Sequence, residues 1–189
     1  MALTPTPSQT VGPFFHLGCT QHRSIGSLVA ASTQGDLIQL TCRVLDGDGV
    51  PVNDAMIEIW QANAEGKYNH PEDTQDKSAD PSFRGFGRLA TNDNGECTFQ
   101  TIKPGRVATN GELQAAHINV SVFARGLLNR LVTRIYFAGD PAVEQDNVFK
   151  LAPDDRRDTL LAYQKNDRPN EWQFEIHLCG ERETVFFDI

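Results

Sequence analysis

The feature that most constrains the fold is a succession of short apolar or alternating runs separated by turn residues. Alternation of apolar and polar residues is typical of half-buried β-strands, and clusters of Gly, Asn and Asp end such strands. The sequence predicts strands at residues 37–45, 55–62, 85–91, 97–102, 117–124, 131–137, 172–178 and 184–187.

Turn residues predict how these strands are connected. The segments Asp46-Gly47-Asp48-Gly49 and Asn92-Asp93-Asn94-Gly95 carry the turn signals that suit β-hairpins. One segment, residues 153–165, has a helix pattern, with acids near its start and a lysine at its end as the helix dipole favours. We therefore expect an all-β fold, a single-domain β-sandwich over residues 36–189, with one short peripheral helix.

The first 35 residues are expected to form an N-terminal arm and a loop. Prolines within residues 1–13 prevent a helix from propagating and prevent central pairing in a sheet, which predicts an extended arm. Val11, Phe14 and Phe15 make the arm apolar enough to dock on a surface, including that of a neighbouring chain.

Charge and cysteine content exclude several classes of protein. The formal net charge is −8 and no run of Lys or Arg occurs, which disfavours binding to phosphate backbones. No apolar stretch is long enough to span a membrane, and the first residues lack a secretory signal, so we expect a cytoplasmic protein. The widely spaced cysteines, at positions 19, 42, 97 and 179, are expected to stay as free thiols.

Motifs for phosphate binding, serine hydrolysis and zinc proteolysis are absent from the sequence. The candidate ligands for a redox metal are His16, His22, His70, His117, His177, Tyr68, Tyr136 and Tyr163. In the run His117-Ile118-Asn119 the first and third residues share one face of a strand, but a neutral amide is a weak ligand for Fe³⁺. The sequence therefore offers an imidazole beside an amide where a metal site would present two imidazoles.

Several motifs resemble those of the intradiol ring-cleaving dioxygenases that pair two homologous β-sandwich chains, alpha and beta, in a large oligomer. The resemblance covers nearly the whole chain and rests on residues 6–13, 59–68, 101–105, 116–119, 123–126, 134–137 and 180–188. In that family only the beta chain holds non-haem Fe³⁺, through two tyrosines and two histidines. The reaction implied is cleavage of protocatechuate, 3,4-dihydroxybenzoate, by O₂ between its two hydroxyls, which yields 3-carboxy-cis,cis-muconate for the β-ketoadipate pathway.

The resemblance also indicates which of the two chains this is. The catalytic tyrosines fall on Tyr68 and Val107, and the histidines fall on His117 and Asn119. Valine cannot ligate, so we expect that this chain binds no metal and that Fe(III) is carried by the beta chain. This pattern matches the alpha chain.

An iron-free chain can still complete the partner's pocket. The resemblance implies that Gly12, Pro13 and Arg125 reach protocatechuate and O₂ at the interface with the beta chain. A guanidinium matches the ring carboxylate of such a substrate.

Two other functions remain open from the residues. One is a self-sufficient metalloenzyme in which Tyr68 and His117 bind a metal with help from His70 or His16. The other is a non-enzymatic β-sandwich binding module, which the pattern of strands alone also allows.

Overall fold

The computed structural model describes residues 6–21, 24–109 and 111–188, with the backbone alone at residues 13 and 16. Over these residues the chain forms ten strands: β1 Leu37–Leu45, β2 Met56–Gln61, β3 Phe86–Ala90, β4 Glu96–Ile102, β5 Ala108–Thr109, β6 Glu112–Leu113, β7 His117–Phe123, β8 Leu131–Phe137, β9 Leu161–Lys165 and β10 Arg168–His177. The helical segments are short: an α-helical turn at Pro13–His16, a π-helical turn at Leu17–Gln21, and 3₁₀ turns at Val143–Gln145, Phe149–Leu151 and Asp154–Leu160.

The strands build two packed layers, which confirms the all-β expectation. One layer has the order β3-β2-β7-β8, and the other has the order β9-β10-β1-β4. The strands β5 and β6 form a separate small hairpin. Apolar residues on the inner faces, such as Leu40, Ile59, Phe99, Ile118 and Phe174, are each at most 1% exposed and form the core.

Both edges of the sandwich are joined across the layers. At one edge β9 pairs first with Tyr136 and Phe137 of β8 and then with β10. At the other edge, residues 25–28 bridge β3 and β4 through Arg88 and Gln100. Backbone hydrogen bonds of 2.7 to 2.9 Å make this second junction. The two layers therefore leave few unpaired strand edges, which protects them from pairing with other chains.

The helix predicted at residues 153–165 is wrong over its second half. Residues 154–160 form a 3₁₀ helix, and residues 161–165 form strand β9. The acidic start of the segment is present, but Leu160 and Ala162 are both fully buried with Leu161 between them more exposed. That spacing of two is the period of a strand, and the open edges of β8 and β10 supply its hydrogen-bonding partners.

The two predicted hairpins are also wrong, because their turns connect strands of different layers. Strand β1 pairs with β10 and β4, whereas β2 pairs with β3 and β7. Thr91 stabilises the crossing, since its hydroxyl accepts from Ala55 N and donates to Val52 O. Gly95 has a φ of 71° and leaves no room for a Cβ against the carbonyl of Val44.

Both chain ends differ in detail from the expectation. The arm contains helical turns over residues 13–21 in place of a wholly extended path, and proline at the first helical position suits that conformation. Residues 184–187 form no strand, although Thr184 N and Phe187 N donate to the carbonyls of His177 and Val132. Each of the four cysteines is a free thiol, as expected.

Across the described segments, every helix is too short or too polar to cross a membrane.

The junction of residues 25–28 predicts a large effect of Leu28→Ala. Leu28 is 1% exposed, lies against Gly87, and exchanges backbone hydrogen bonds with Gln100 and Arg84. We expect a loss of about 2–5 kcal/mol in the free energy of unfolding, measured by chemical denaturation. The matched control, Leu151→Ala, changes a side chain that is 74% exposed and should cost less than about 0.5 kcal/mol. Equal effects of the two substitutions would show that the junction adds no stability.

Candidate functional site

The site lies on the outer face of the layer β3-β2-β7-β8, at the beginning of β7. Ile118, Val120 and Val122 of this strand face the core, so His117 and Asn119 face outward. The register places Asn119 between Trp60 of β2 and Arg134 of β8. Pairing of the three strands therefore assembles a row of polar and aromatic side chains next to His117.

Two loops border this row and, together with Trp60, line a pocket of about 660 Å³. The first loop carries Tyr68, whose ring stacks on Trp60 with centroids 5.6 Å apart. The second carries Val107, which is 4% exposed and lines the same pocket. Tyr68, Val107, His117 and Asn119 are called the Tyr68 site below. Tyr68 is hydrogen-bonded to His117 and Asn119, and Val107 lines the same pocket as Tyr68.

Buried polar contacts hold the first loop in place. Asn63 Oδ1 accepts from Glu65 N and Lys67 N at 3.0 and 2.9 Å. The Lys67 ammonium donates to the carbonyls of Asp73 and Gln75, and the Asp73 carboxylate accepts from Tyr68 N at 2.7 Å. These contacts fix the backbone on both sides of Tyr68 and so fix its ring.

The side chains of the Tyr68 site are joined by hydrogen bonds that run in one direction. Arg134 Nε donates to Asn119 Oδ1 at 3.1 Å, and Asn119 Nδ2 donates to Tyr68 Oη at 3.2 Å. Tyr68 Oη lies 3.3 Å from His117 Nε2, and His117 Nδ1 lies 2.8 Å from the carbonyl of Ala115. Because Ala115 O can only accept, His117 Nδ1 carries the proton and Nε2 accepts from the Tyr68 hydroxyl.

Burial and charge keep both ring groups neutral at pH 7. Burial, with the Arg134 charge adding to it, lowers the pKa of His117 from 6.5 to about 4. Burial raises the pKa of Tyr68 above 10, against opposing effects of the Asn119 hydrogen bond and the Arg134 charge. The Tyr68 site is therefore a network of neutral groups beside one fixed cation.

A second candidate region lies at the other end of β7. Arg125 follows this strand and forms an ion pair with Asp54 through Nε. It borders a mostly apolar groove of about 510 Å³, called the Arg125 groove, which is lined by Val11, Gly12, Phe15, Leu17, Asp54, Met56, Phe123 and Arg125.

The arm is attached to the strand end at this groove. Thr10 Oγ1 accepts from Gly126 N at 2.8 Å, and the rings of Phe15 and Phe123 lie 5.5 Å apart. The structure thus brings Gly12 and Arg125 together. Pro13 begins the adjacent helical turn, and its side chain lies outside the described residues. At about 3.3 Å per residue, β7 puts roughly 20 Å between His117 and Phe123, so Arg125 does not reach the Tyr68 site of its own chain.

The chain is 39% identical to the protocatechuate 3,4-dioxygenase alpha chain of Burkholderia cepacia, over 99% of this chain and 98% of that one. It is also 39% identical to the beta chain from the same organism, over 79% of this chain and 67% of that one. A family model described as dioxygenase matches residues 10–180. The chain belongs to the intradiol dioxygenase family.

Solved structures agree with this membership. The dioxygenase domain of a dioxygenase and carbohydrate-binding fusion protein from Streptomyces sp. SirexAA-E superposes with a TM-score of 0.62 at 27% identity. The match covers 94% of this chain and 99% of that one. An intradiol dioxygenase fold and a role in an enzyme are therefore established for this chain. The hypothesis of a non-enzymatic binding module is wrong.

For an intradiol dioxygenase, the donor set of the Tyr68 site does not fit a ferric ion. Val107 has no donor atom, and the Asn119 amide nitrogen, which carries no lone pair for a metal, points at Tyr68. No cluster of three His, Cys, Asp or Glu residues suited to a metal occurs in the described parts of the chain. The two remaining donors, on Tyr68 and His117, are hydrogen-bonded to each other.

The other sequence candidates do not complete the set. His70 lines the pocket, where its ring meets the edge of Trp60, and it is exposed. Tyr136 donates its hydroxyl to Asp146 at 3.0 Å, inside a separate buried cluster. Tyr163 and His177 lie in the second layer, whereas His22 and the side chain of His16 lie outside the described residues.

Sequence reasoning missed the residues that organise the site. Arg134 lies within the motif at residues 134–137 but carries no predicted role, and Asp146 belongs to no motif. Asp146 is 2% exposed and accepts hydrogen bonds from Ala115 N, Tyr136 Oη and two further backbone amides. It therefore holds Ala115, whose carbonyl accepts from His117 Nδ1.

The lowered pKa of His117 predicts a specific pH dependence of stability. Above pH 6.5 the imidazole is neutral in the folded and the unfolded chain. Between pH 6.5 and about 4 only the unfolded chain binds the proton, so stability falls as the pH falls. The wild type should therefore lose roughly 3 kcal/mol more of its free energy of unfolding than His117→Gln does between pH 7 and pH 4.

Denaturation of the two proteins at several pH values measures this difference. His70→Gln removes an exposed imidazole beside the same site and serves as the control for the substitution itself. A difference between the wild type and His117→Gln that stayed constant with pH would mean that the buried imidazole titrates normally.

Proposed function

We propose that this chain is the iron-free subunit of a protocatechuate-cleaving intradiol dioxygenase and completes the active site of a homologous catalytic beta chain. The observation that carries the proposal is the contrast between its two candidate regions. The Tyr68 site lacks half of the ligands that the family resemblance requires, whereas the Arg125 groove keeps an exposed guanidinium beside an ordered arm. The similarity to an alpha chain over almost its whole length supports this reading.

The proposed organisation is an arm and loop at residues 1–35 and a sandwich domain at residues 36–189, in an alpha–beta oligomer. Phe14 is 84% exposed and Leu17 is 44% exposed beside the Arg125 groove. Apolar side chains at such exposure favour a surface that a partner covers. A beta-chain relative at 39% identity supports a partner built on the same fold.

In this proposal, Fe(III) carried by the beta chain supplies the activation of the catechol towards O₂. The present chain contributes Gly12, Pro13 and Arg125, which shape the wall of the shared pocket, exclude water and bind the ring carboxylate of 3,4-dihydroxybenzoate. The product is 3-carboxy-cis,cis-muconate.

Arg125 is suited to binding a carboxylate. Its side chain is 75% exposed, and Asp54 contacts it through Nε. An ion pair made through Nε leaves the N–H groups of the two terminal nitrogens as donors for a second carboxylate. Asp54 therefore orients the guanidinium while the outward-facing donors stay available to a substrate.

The chain purified alone is expected to contain no stoichiometric iron. Because Val107 and Asn119 replace two donors, the visible band of a phenolate-to-iron charge transfer should also be absent. Iron analysis and an absorption spectrum of the chain, before and after mixing with a beta chain, measure both. One iron per isolated chain together with that band would refute the iron-free assignment.

In the assembled enzyme, Arg125→Ala should raise KM for protocatechuate and leave the iron content unchanged. Loss of a charge-assisted hydrogen bond of roughly 1.5 to 3 kcal/mol corresponds to about a 10-fold to 150-fold loss in kcat/KM. Catechol, which lacks the carboxylate, should be cleaved at nearly the wild-type rate.

Arg168→Ala is the matched control, because Arg168 is also an exposed arginine paired with one carboxylate, that of Glu171, in the other layer. Arg168→Ala should leave kcat/KM unchanged for both protocatechuate and catechol. Equal losses towards protocatechuate and catechol in Arg125→Ala would assign Arg125 to structure or to the diol end. If Arg125→Ala left kcat and KM for protocatechuate unchanged, Arg125 would have no role in substrate binding.

A further inference from the structure

The hydrogen bonds of the Tyr68 site occupy the atoms that a metal would need. The His117 Nε2 lone pair accepts from the Tyr68 hydroxyl, and the Tyr68 oxygen accepts from Asn119 Nδ2. The amide keeps this orientation because its oxygen accepts from Arg134 Nε. A metal ion entering the site would therefore have to break the whole series, which begins at Arg134.

Arg134 also brings a positive charge to the Tyr68 site. Its guanidinium donates to the neutral amide oxygens of Asn119 and Gln114, at 3.1 and 3.3 Å, and is hydrogen-bonded to the Tyr136 hydroxyl. Over residues 6–21, 24–109 and 111–188, Arg134 takes part in no ion pair. The nearby Asp146 carboxylate is directed at backbone amides and at Tyr136. Glu72 and Asp73 line the adjacent pocket, but at Tyr68 the charge of Arg134 acts more strongly than that of Asp73. A second cation beside Tyr68 would therefore be repelled at a partly buried position, where screening is weak.

We propose that Arg134 closes the Tyr68 site to metal ions, as an obstacle separate from the ligands missing at positions 107 and 119. In the wild-type chain Arg134 orients Asn119. The obstacle that remains after Asn119 is replaced is the charge of Arg134. Restoring a ligand at position 119 is then insufficient for metal binding while the guanidinium stays.

Strand register makes this proposal testable with two substitutions. Asn119→His adds an imidazole on the face of His117, two residues away, so that three donor side chains lie together at Tyr68. Arg134 is the direct cross-strand neighbour of position 119, where Cβ atoms lie about 5 Å apart. The added imidazole would therefore bind any metal next to the guanidinium.

The experiment compares Co²⁺ binding to the full chain with Asn119→His alone and with Asn119→His/Arg134→Gln. Glutamine keeps a side-chain donor and removes the charge. Equilibrium dialysis gives the Kd, and the visible d–d bands of Co²⁺ report coordination by the protein. We expect Asn119→His/Arg134→Gln to bind Co²⁺ at least about tenfold more tightly, with bands that Asn119→His alone does not show.

Asn119→His/Arg134→Lys is the control that keeps the charge but lacks the guanidinium. It should bind as weakly as Asn119→His. The proposal would be overturned if Asn119→His and Asn119→His/Arg134→Gln bound Co²⁺ with equal affinity, or if neither bound it. Circular dichroism first establishes that each variant is folded. If the isolated variants do not fold, the same comparison is made in the complex with the beta chain. The readout is then the amount of Co²⁺ bound in excess of that bound by the wild-type complex.

The inference rests only on the iron-free part of the proposed function, and the two fail separately. Stoichiometric iron in the wild-type chain would refute the proposed function. An iron-free wild type whose Arg134→Gln variants bind no better would refute the role of Arg134 alone.

Discussion

The two-residue period of β7 is the constraint on which both candidate regions depend. Ile118, Val120 and Val122 face the core, so His117 and Asn119 must lie on the outer face of the sheet. A slip of one residue would bury the amide among aliphatic side chains and expose the isoleucine. The cohesion of the core therefore determines the placement of the polar site, and the same strand ends where the Arg125 groove begins.

The strands of the sandwich were predictable, whereas their pairing was not. The bounds of β1 and β8 agree with the sequence pattern. Strand β1 alternates over most of its length, and β8 is rich in β-branched and aromatic residues, and both are strong local signals. The turns after β1 and β3 carry hairpin chemistry, but the core favours strands in opposite layers. Residues 161–165 look helical by local propensity and become a strand because two sheet edges lie open beside them.

The Tyr68 site shows the same division between local and long-range information. Motif positions were enough to expect Tyr68, Val107, His117 and Asn119 in one place. Arg134 and Asp146 could not be predicted to join them, because their contribution depends on the register between β7 and β8 and on a buried turn after β8. A single sequence does not determine either. The orientation of Asn119, which stands at a ligand position of the family, is determined by its cross-strand neighbour Arg134.

The parallel pairing of β1 with β10 has a consequence for synthesis of the chain. Gln39 lies opposite Glu171, so the two strands that meet in the second layer are the first and the last strands of the sandwich. While the ribosome is still making the intervening residues, β1 can pair with β4 on one side only. Its other backbone edge stays exposed until β10 has emerged. The nascent chain therefore carries an unpaired edge of β1 while strands β2 to β9 are made, and this layer is completed only after β10 has been synthesised.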